Sequence, residues 1–340
     1  MAKRLKRLSV EEFTSLSPKH LEILRGLELI EIDKLAAINE QELRVLLDTT
    51  ILKARSIIAE ARASLPEFRI LSLKQISQQE DENQYLSIGC QGIDKVMGGK
   101  GFETGAITEI FAEFGAGKSQ IALTLAVRCV LSKEEGGLEG SVLVIDTEGT
   151  WRPSRIREIA SYYPGLTKEI LDENIKIIRP MRSTEQHLVL KSLVEDEGVN
   201  VQGIVKTPRP IKLLIVDSIT SLFRNEYLGR GALAERQNRL GEHLKNLYLF
   251  AIQNRAIVLI TNQVIHSPDI FNPGMKPVGG NVLGHASTYR VALKKKKGLL
   301  RVFQMVDSAT LPDAEAIFKL SPRGIVSADF DQEDQEGGSE

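Results

Sequence analysis

The chain has 340 residues, 42% hydrophobic and 26% charged, which is enough apolar content and length for one larger domain plus a smaller one. Its 44 Lys+Arg against 45 Asp+Glu leave a net charge of −1, so nucleic-acid binding by bulk charge is excluded and only local basic clusters could support it. Cys90 and Cys129 are the two cysteines. They lie far apart with no histidine at ligand spacing, which argues against a disulfide framework or a zinc site and for reduced core thiols in a cytosolic protein.

The start, "MAKRLKRLSVEEF", is basic but runs into a polar segment instead of an apolar one, and no apolar run is long enough for a bilayer; neither export signal nor membrane anchor is expected. Residues 8–63 carry helical periodicity, as in "HLEILRGLELIEIDKLAAI" and "TTILKARSIIAEARASL", and Pro66 ends the last helix. A small helical domain is expected over 1–65. Residues 66–86 turn polar and read as a linker with an apolar anchor at Phe68, Ile70, Leu71 and Leu73.

From about Ser87 to 330, apolar runs alternate with helical stretches: "AITEIF", "SVLVID", "IKII", "KLLIVD" and "AIVLITN". Runs apolar on both faces suit central strands of a parallel sheet covered by helices, so the fold class is doubly wound α/β. Two segments read as loops, "RNEYLGRGALAERQNR" (224–239) and "VIHSPDIFNPGMKPVGGNVLGH" (264–285); the second is long enough to suggest a function. Residues 289–326 read as closing antiparallel strands, and the acidic tail "DQEDQEGGSE" (331–340) as disordered.

A phosphate loop needs a strand that feeds a tight turn whose amides open a helix. "ITEIF", "AEFGAGKS" and "SQIALTLAVRCVL" supply the three parts in order, although Ala112 stands where the G-x-x-x-x-G-K-[ST] pattern has its first glycine. Ala112 is at the loop's entry, where alanine is tolerated if its φ is negative. Glu113, Phe114, Gly115, Ala116, Gly117 and Gln120 line this turn, Lys118 brings a charge to the β and γ phosphates, and the Ser119 hydroxyl can ligate magnesium. "KLLIVDS" ends in Asp217 at the strand edge where open α/β sheets bind ligands, which suits a magnesium shell; the alternative is a helix cap within "DSIT". Glu148, in "VLVIDTEGTW", suits a carboxylate that orients and deprotonates water, while Asp146, nearer the strand, leaves a structural role open. Asn262 and Gln263 end "AIVLITNQ" as amides able to sense a γ-phosphate and to signal to the loop that follows.

The motifs "ITEIFAEFGAGKSQ", "VIDTEGTWRPSRI", "LLIVDSITSLFRNEYLGRGALAERQNRL", "ITNQV", "GGNVLGHAS" and "VDSATLPDAEAIF" together resemble the RecA-type recombinases of the archaeal RadA and eukaryotic branch, over nearly the whole chain. The resemblance implies a RecA-like ATPase core after a small all-α domain similar to helix–hairpin–helix modules. It implies ATP and magnesium as cofactors, with potassium as an optional third. By the same resemblance Glu148 is the catalytic base, Gln263 the γ-phosphate sensor and Arg155 the adenine-stacking residue. ATP would sit between protomers of a helical filament or ring, covered in trans by Asp307 and Pro312, with His285 near the γ-phosphate. Arg224, Tyr227, Arg230 and Arg236 on the first loop, and Phe271, Met275 and Lys276 on the second, would hold single-stranded DNA; for Arg224 and Arg236 the alternative is helix-end ion pairing, and the run Lys294–Lys297 reads as a solvated hairpin turn, with contact to nucleic acid or to a neighbour's nucleotide as its alternatives. Phe68 and Leu71 would dock on a neighbouring copy.

The resemblance further implies single- and double-stranded DNA and recombination mediators as partners, homologous pairing and strand exchange as the activity, and a cytoplasmic, nucleoid-associated location in an archaeon or a nuclear one in a eukaryote. Several features depart from the family pattern. "LSPKHLEIL" and "LDTTILKARSII" lack the hairpin glycines, "FRIL" replaces F-x-x-A, "DSATLP" carries Ala309, and "EDEGVNVQGIVKTPRP" (195–210) is long. These favour an ATP-switched accessory paralogue as the alternative; a nucleotide-binding module without DNA is the more distant one.

Overall fold

A computed structural model describes residues 10–27, 29–65, 72–194, 205, 207–227, 229–266 and 275–330. Contacts divide the chain into Met1–Glu82 and Asn83–Glu340.

The first unit is helical: α1 (Pro18–Gly26), α2 (Ile32–Ala37), α3 (Glu40–Leu46), α4 (Ile51–Ser64) and α5 (Leu73–Asp81). Polar side chains open most of these helices, Ser17 accepting from the His20 amide, Asn39 from Gln41 and Thr50 from Lys53, each satisfying an amide with no partner inside its own helix. Leu24, Leu35, Leu43, Leu47, Ile57 and Ile58 are buried together, as the helical periodicity predicts. The turn between α3 and α4 has no glycine. Asp48 takes the left-handed conformation there, φ 46°, a position that aspartate tolerates better than most residues. Residues 73–81, expected to be linker, form a helix, because "LKQISQQED" consists largely of good helix formers with no glycine or proline. The anchor residues Phe68 and Leu71, the bulk of the long 195–210 segment, Phe271 and the acidic tail lie outside the described residues.

The second unit opens with the strand β1 (Tyr85–Leu86), α6 (Gln91–Val96) and β2 (Phe102–Glu103), β1 and β2 pairing with each other. Its large sheet holds β3 (Ile107–Ala112), β4 (Ser141–Asp146), β5 (Ile175–Ile178), β6 (Ile211–Asp217), β7 (Ile257–His266), β8 (Met275–Pro277), β9 (Tyr289–Lys295), β10 (Leu300–Ser308), β11 (Glu315–Ser321) and β12 (Gly324–Ser327). The order is β12-β11-β10-β9-β3-β7-β6-β4-β5, with β8 folded onto β7. Inner pairs from β9 to β5 are parallel, and β9 to β12 close the sheet antiparallel. The intervening helices are α7 (Lys118–Val130), α8 (Pro153–Ala160), α9 (Lys168–Asn174), α10 (Ser183–Val194), α11 (Ser221–Glu226), α12 (Leu233–Asn254) and α13 (Gly280–Ala286).

The inner strands bury both faces, and alternate residues enter opposite cores. Val142, Val144, Leu213 and Ile215 pack on one side with α7, while Leu143, Ile145, Leu214 and Val216 pack on the other with Leu240, Leu244 and Leu247 of α12. The α/β expectation and its mainly parallel sheet hold.

The first expected loop is mostly helix. α11 runs through Glu226, Arg230–Ala232 is one 3-10 turn, and α12 starts at Leu233. "ALAERQNRL" is rich in helix formers, so its charges describe an exposed helix face, and glycines 229 and 231 mark only the break. Of the second segment, Val264–His266 extend β7, Met275–Pro277 return as β8 and Gly280–Ala286 form α13; residues 267–274 are outside the described residues.

Candidate active site

Strand register brings the candidate residues to one edge. β3 ends with Ala112 opposite Gln263 of β7, and β4 ends with Asp146 opposite Asp217 of β6. Because these strands are parallel, their C-terminal ends, and the turns that leave them, open on the same side.

After β3 the chain turns through Gly115 (φ 73°) and Gly117 (φ 108°) and enters α7 at Lys118. Only glycine adopts such angles cheaply, and they turn successive amides toward the helix mouth, where the helix dipole also favours an anion. Ala112 is buried and keeps a negative φ, since it is absent from the described residues with positive φ. Glycine is therefore dispensable at that point. Lys118 Nζ donates to the carbonyls of Ala112 (3.0 Å) and Glu113 (3.2 Å). Phe114 is 90% exposed at the tip of the loop.

Asp217 is buried. Its two oxygens accept one bond each, from Thr261 Oγ1 and from Trp151 Nε1, the latter at 3.1 Å. A carboxylate oxygen has two lone pairs, so each retains capacity for a metal-bound water. The helix-cap alternative for Asp217 fails, because the cap position of α11 is Thr220. Asp146 holds the turn after β4, accepting from the amides of Thr150 (3.1 Å) and Trp151 (3.3 Å) and from Arg179 Nε (3.0 Å). That turn presents Glu148. Trp151, for which sequence reasoning had no role, is fully buried and fastens the turn to Asp217; an isolated tryptophan beside a strand-end carboxylate was the available signal.

Gln263 uses both ends of its amide. Nε2 donates to Glu148 Oε1 (2.9 Å), and Oε1 accepts from Arg224 Nη1 (3.1 Å). Asn262, expected beside it as a second sensor, points into the interior: it is buried and bonded to Thr220, Glu109 and the Val278 carbonyl.

Electrostatics bind the cluster together. Burial lowers the Lys118 pKa, with Asp217 and Glu148 opposing the shift and Lys295 adding to it. Burial and then the Asp217 charge raise the Glu148 pKa, against the Gln263 hydrogen bond and Lys118.

The donor set suits a magnesium–triphosphate pair. Ser119 and Asp217 offer hard oxygen ligands, the buried Ser218 hydroxyl beside them has no partner among the described residues, and no described group of three or more ligating side chains forms a closed cage. Magnesium generally keeps several waters and takes one or two protein ligands together with phosphate oxygens.

The remaining candidates are spread over several elements, and Asp307, paired with Arg290 near the start of β9, lies toward the opposite edge of the sheet. Arg155 on α8 packs against Gln120 (2.8 and 3.0 Å), Glu158 (2.6 Å) and the carbonyls of Ser321 (2.7 Å) and Pro322 (2.8 Å). His285 is in the last turn of α13, Asp307 is near the end of β10, and Pro312 follows it. Tyr227 closes α11 and stacks on Phe223, with centroids 6.5 Å apart. Arg230 lies in the 3-10 turn, Arg236 on α12, and Met275 and Lys276 on β8, opposite His266 and Ile265. No described helix is long and apolar enough to cross a membrane.

The Rad51 family profile matches residues 79–328. The chain is also similar to a DNA repair and recombination protein RadA from Methanocorpusculum labreanum, 38% identical over 329 residues that cover 94% of this chain and 98% of the relative. Matched over most of its length on both counts, and folded as a mainly parallel sheet with a phosphate loop at the end of an inner strand, the chain belongs to the Rad51 family of RecA-type recombinases, DNA-dependent ATPases of repair and recombination.

Proposed function

We propose that the protein polymerises on single-stranded DNA in its ATP-bound form, pairs that strand with homologous duplex and exchanges strands, with hydrolysis loosening the assembly. The observation that carries this reading is the amide of Gln263, which touches Glu148 on one side and Arg224 on the other. A group that contacts the catalytic carboxylate and the first basic segment together can report phosphate occupancy to DNA and the reverse.

In this reading Glu148 holds the attacking water and takes its proton, a task favoured by a carboxylate whose pKa is raised toward neutrality. Lys118 releases its loop carbonyls and pairs with the β and γ phosphates, while the amides of 115–119 cradle them. Ser119 and Asp217 would hold the magnesium shell, whose charge would offset that building on the phosphate oxygens. Arg155, fixed by Gln120 and two carbonyls, presents its flat guanidinium to adenine. Asp307, Pro312 and His285 close the site on a neighbouring copy. Arg230, Arg236, Tyr227, Met275, Lys276 and Phe271 serve the DNA strand; Phe68 and Leu71 serve the docking of copies; potassium is an optional further ion.

The accessory-paralogue alternative is favoured by Ala112, Ala309, "FRIL" and the glycine-free hairpins. A strand-exchange assay with oligonucleotides separates the two. Heteroduplex formed with ATP from homologous but not heterologous duplex is expected; ATP-dependent binding of single strands with no heteroduplex would establish the accessory role.

A further inference from the structure

Glu109 lies in the middle of β3, fully buried, where a carboxylate is costly unless neutralised. Its Oε2 accepts from Arg290 Nε at 2.8 Å and its Oε1 from Asn262 Nδ2 at 2.8 Å. The rest of the Asn262 amide is also engaged. Its second N–H goes to the Val278 carbonyl (2.7 Å), at the return of the second DNA segment, and its oxygen accepts from Thr220 Oγ1 (2.9 Å), at the head of α11. Thr220 spends its hydroxyl on this bond and leaves α11 without a side-chain cap.

The other end of Arg290 approaches Asp307. Nη1 lies 3.8 Å from Asp307 Oδ2, its cross-strand partner at a bulge in β10. The guanidinium sits 5.6 Å over the Phe111 ring and fills the space beside Gly284, where an added Cβ would come within 3.2 Å of Nη1. Gly284 precedes His285. A chain of contacts thus runs from Asp307, across this ion pair, through Arg290 and then by hydrogen bonds through Glu109 and Asn262 to both DNA segments, without passing through the phosphate loop or Gln263.

We propose that Arg290 is a positioning residue: it sets the Asp307 carboxylate that covers a neighbour's nucleotide and, through Glu109 and Asn262, ties that cover to the two DNA segments, so that DNA binding and closure of the adjoining site are one event. This rests on the reading of Asp307 as a group acting in trans. It gives the filament a second route of communication, buried in the sheet and parallel to the Gln263 amide.

Removing Arg290 alone leaves a buried charge, so the test uses the full-length E109Q/R290M pair, which removes both charges together. Nucleotide affinity, read from the emission of the single tryptophan on ATP titration, is expected to stay within about twofold of native. Stimulation of ATP turnover by single-stranded DNA is expected to fall about tenfold. Adding D307N to the pair is expected to cost nothing further, because the cover is already uncoupled. Full DNA stimulation in the folded pair, or a further multiplicative loss with D307N, would overturn the proposal. Absence of DNA stimulation in the native protein would overturn the functional reading, and this inference with it.

Discussion

The ammonium of Lys118 is half-buried and bonded to two carbonyls of its own loop, which in the proposed mechanism it exchanges for phosphate oxygens. Lys118→Ala should therefore keep the fold and lose ATP hydrolysis by at least about 100-fold, near 3 kcal/mol of transition-state stabilisation. Circular dichroism and phosphate release check the two halves, and full turnover in the variant would remove the site assignment. Glu148→Gln should bind ATP and fail to turn it over. Native turnover has a pH signature of its own. Burial and Asp217 raise the Glu148 pKa, so the base takes up its proton at a higher pH than an ordinary glutamate, and activity should fall as pH descends through that raised value. A pH–rate profile indifferent to acid until the usual carboxylate range would contradict the assigned base. All these residues were legible in the sequence, because a phosphate loop, an aspartate ending an apolar run and a glutamate on the next turn are local patterns. Trp151 and Arg179, which hold that glutamate's turn, were not, since their roles depend on strands that meet only in the fold.

At the scale of elements, α10 and α12 meet around His243. It is fully buried, its Nε2 lies within hydrogen-bond distance of Gln186 Nε2 (2.9 Å), and its ring lies 5.7 Å from Phe223 of α11. Burial, with a smaller contribution from His187, lowers its pKa to about 3. A histidine held neutral in the fold is protonated first in the unfolded chain, so stability is fully present above the unfolded value of 6.5 and declines as pH falls from there toward about 3. Between pH 7 and pH 5 the linkage relation sets this loss at about 2 kcal/mol. Urea unfolding at about pH 7 and pH 5 should show it, and His243→Gln should flatten the dependence between those values; an unchanged slope would acquit this histidine. The same region shows where pattern reading went astray. Glycine, charge and the absence of long apolar runs suggested a loop over 224–239, but most of it is α11 and α12. One face of an exposed helix has the composition of a loop, and only packing on the sheet tells them apart.

At the scale of the molecule, a near-neutral chain that holds DNA must concentrate its positive charge. Arg230, in the short turn between α11 and α12, is the sequence's clearest candidate, flanked by Gly229 and Gly231. Arg230→Ala should weaken single-strand binding, reduce the slope of log affinity against log salt by about 1, and leave ATP binding unchanged. Binding isotherms at several salt concentrations measure this, and an unaltered slope would remove Arg230 from the DNA-facing set.

Local chemistry was enough to determine the helical first unit, the strands of the α/β sheet, the phosphate loop and the acidic strand ends, since periodicity, turn residues and the limits of apolar runs are written within a few positions of one another. Tertiary structure alone decided which side chains share a bond. Gln263 reaches Glu148 and Arg224, Trp151 reaches Asp217, and Glu109 reaches Arg290, 181 positions further along. Those partnerships follow from the order in which strands lie side by side, with β9 beside β3 and β7 on its other flank. That order is set by the packing of whole elements, which no short window of residues contains.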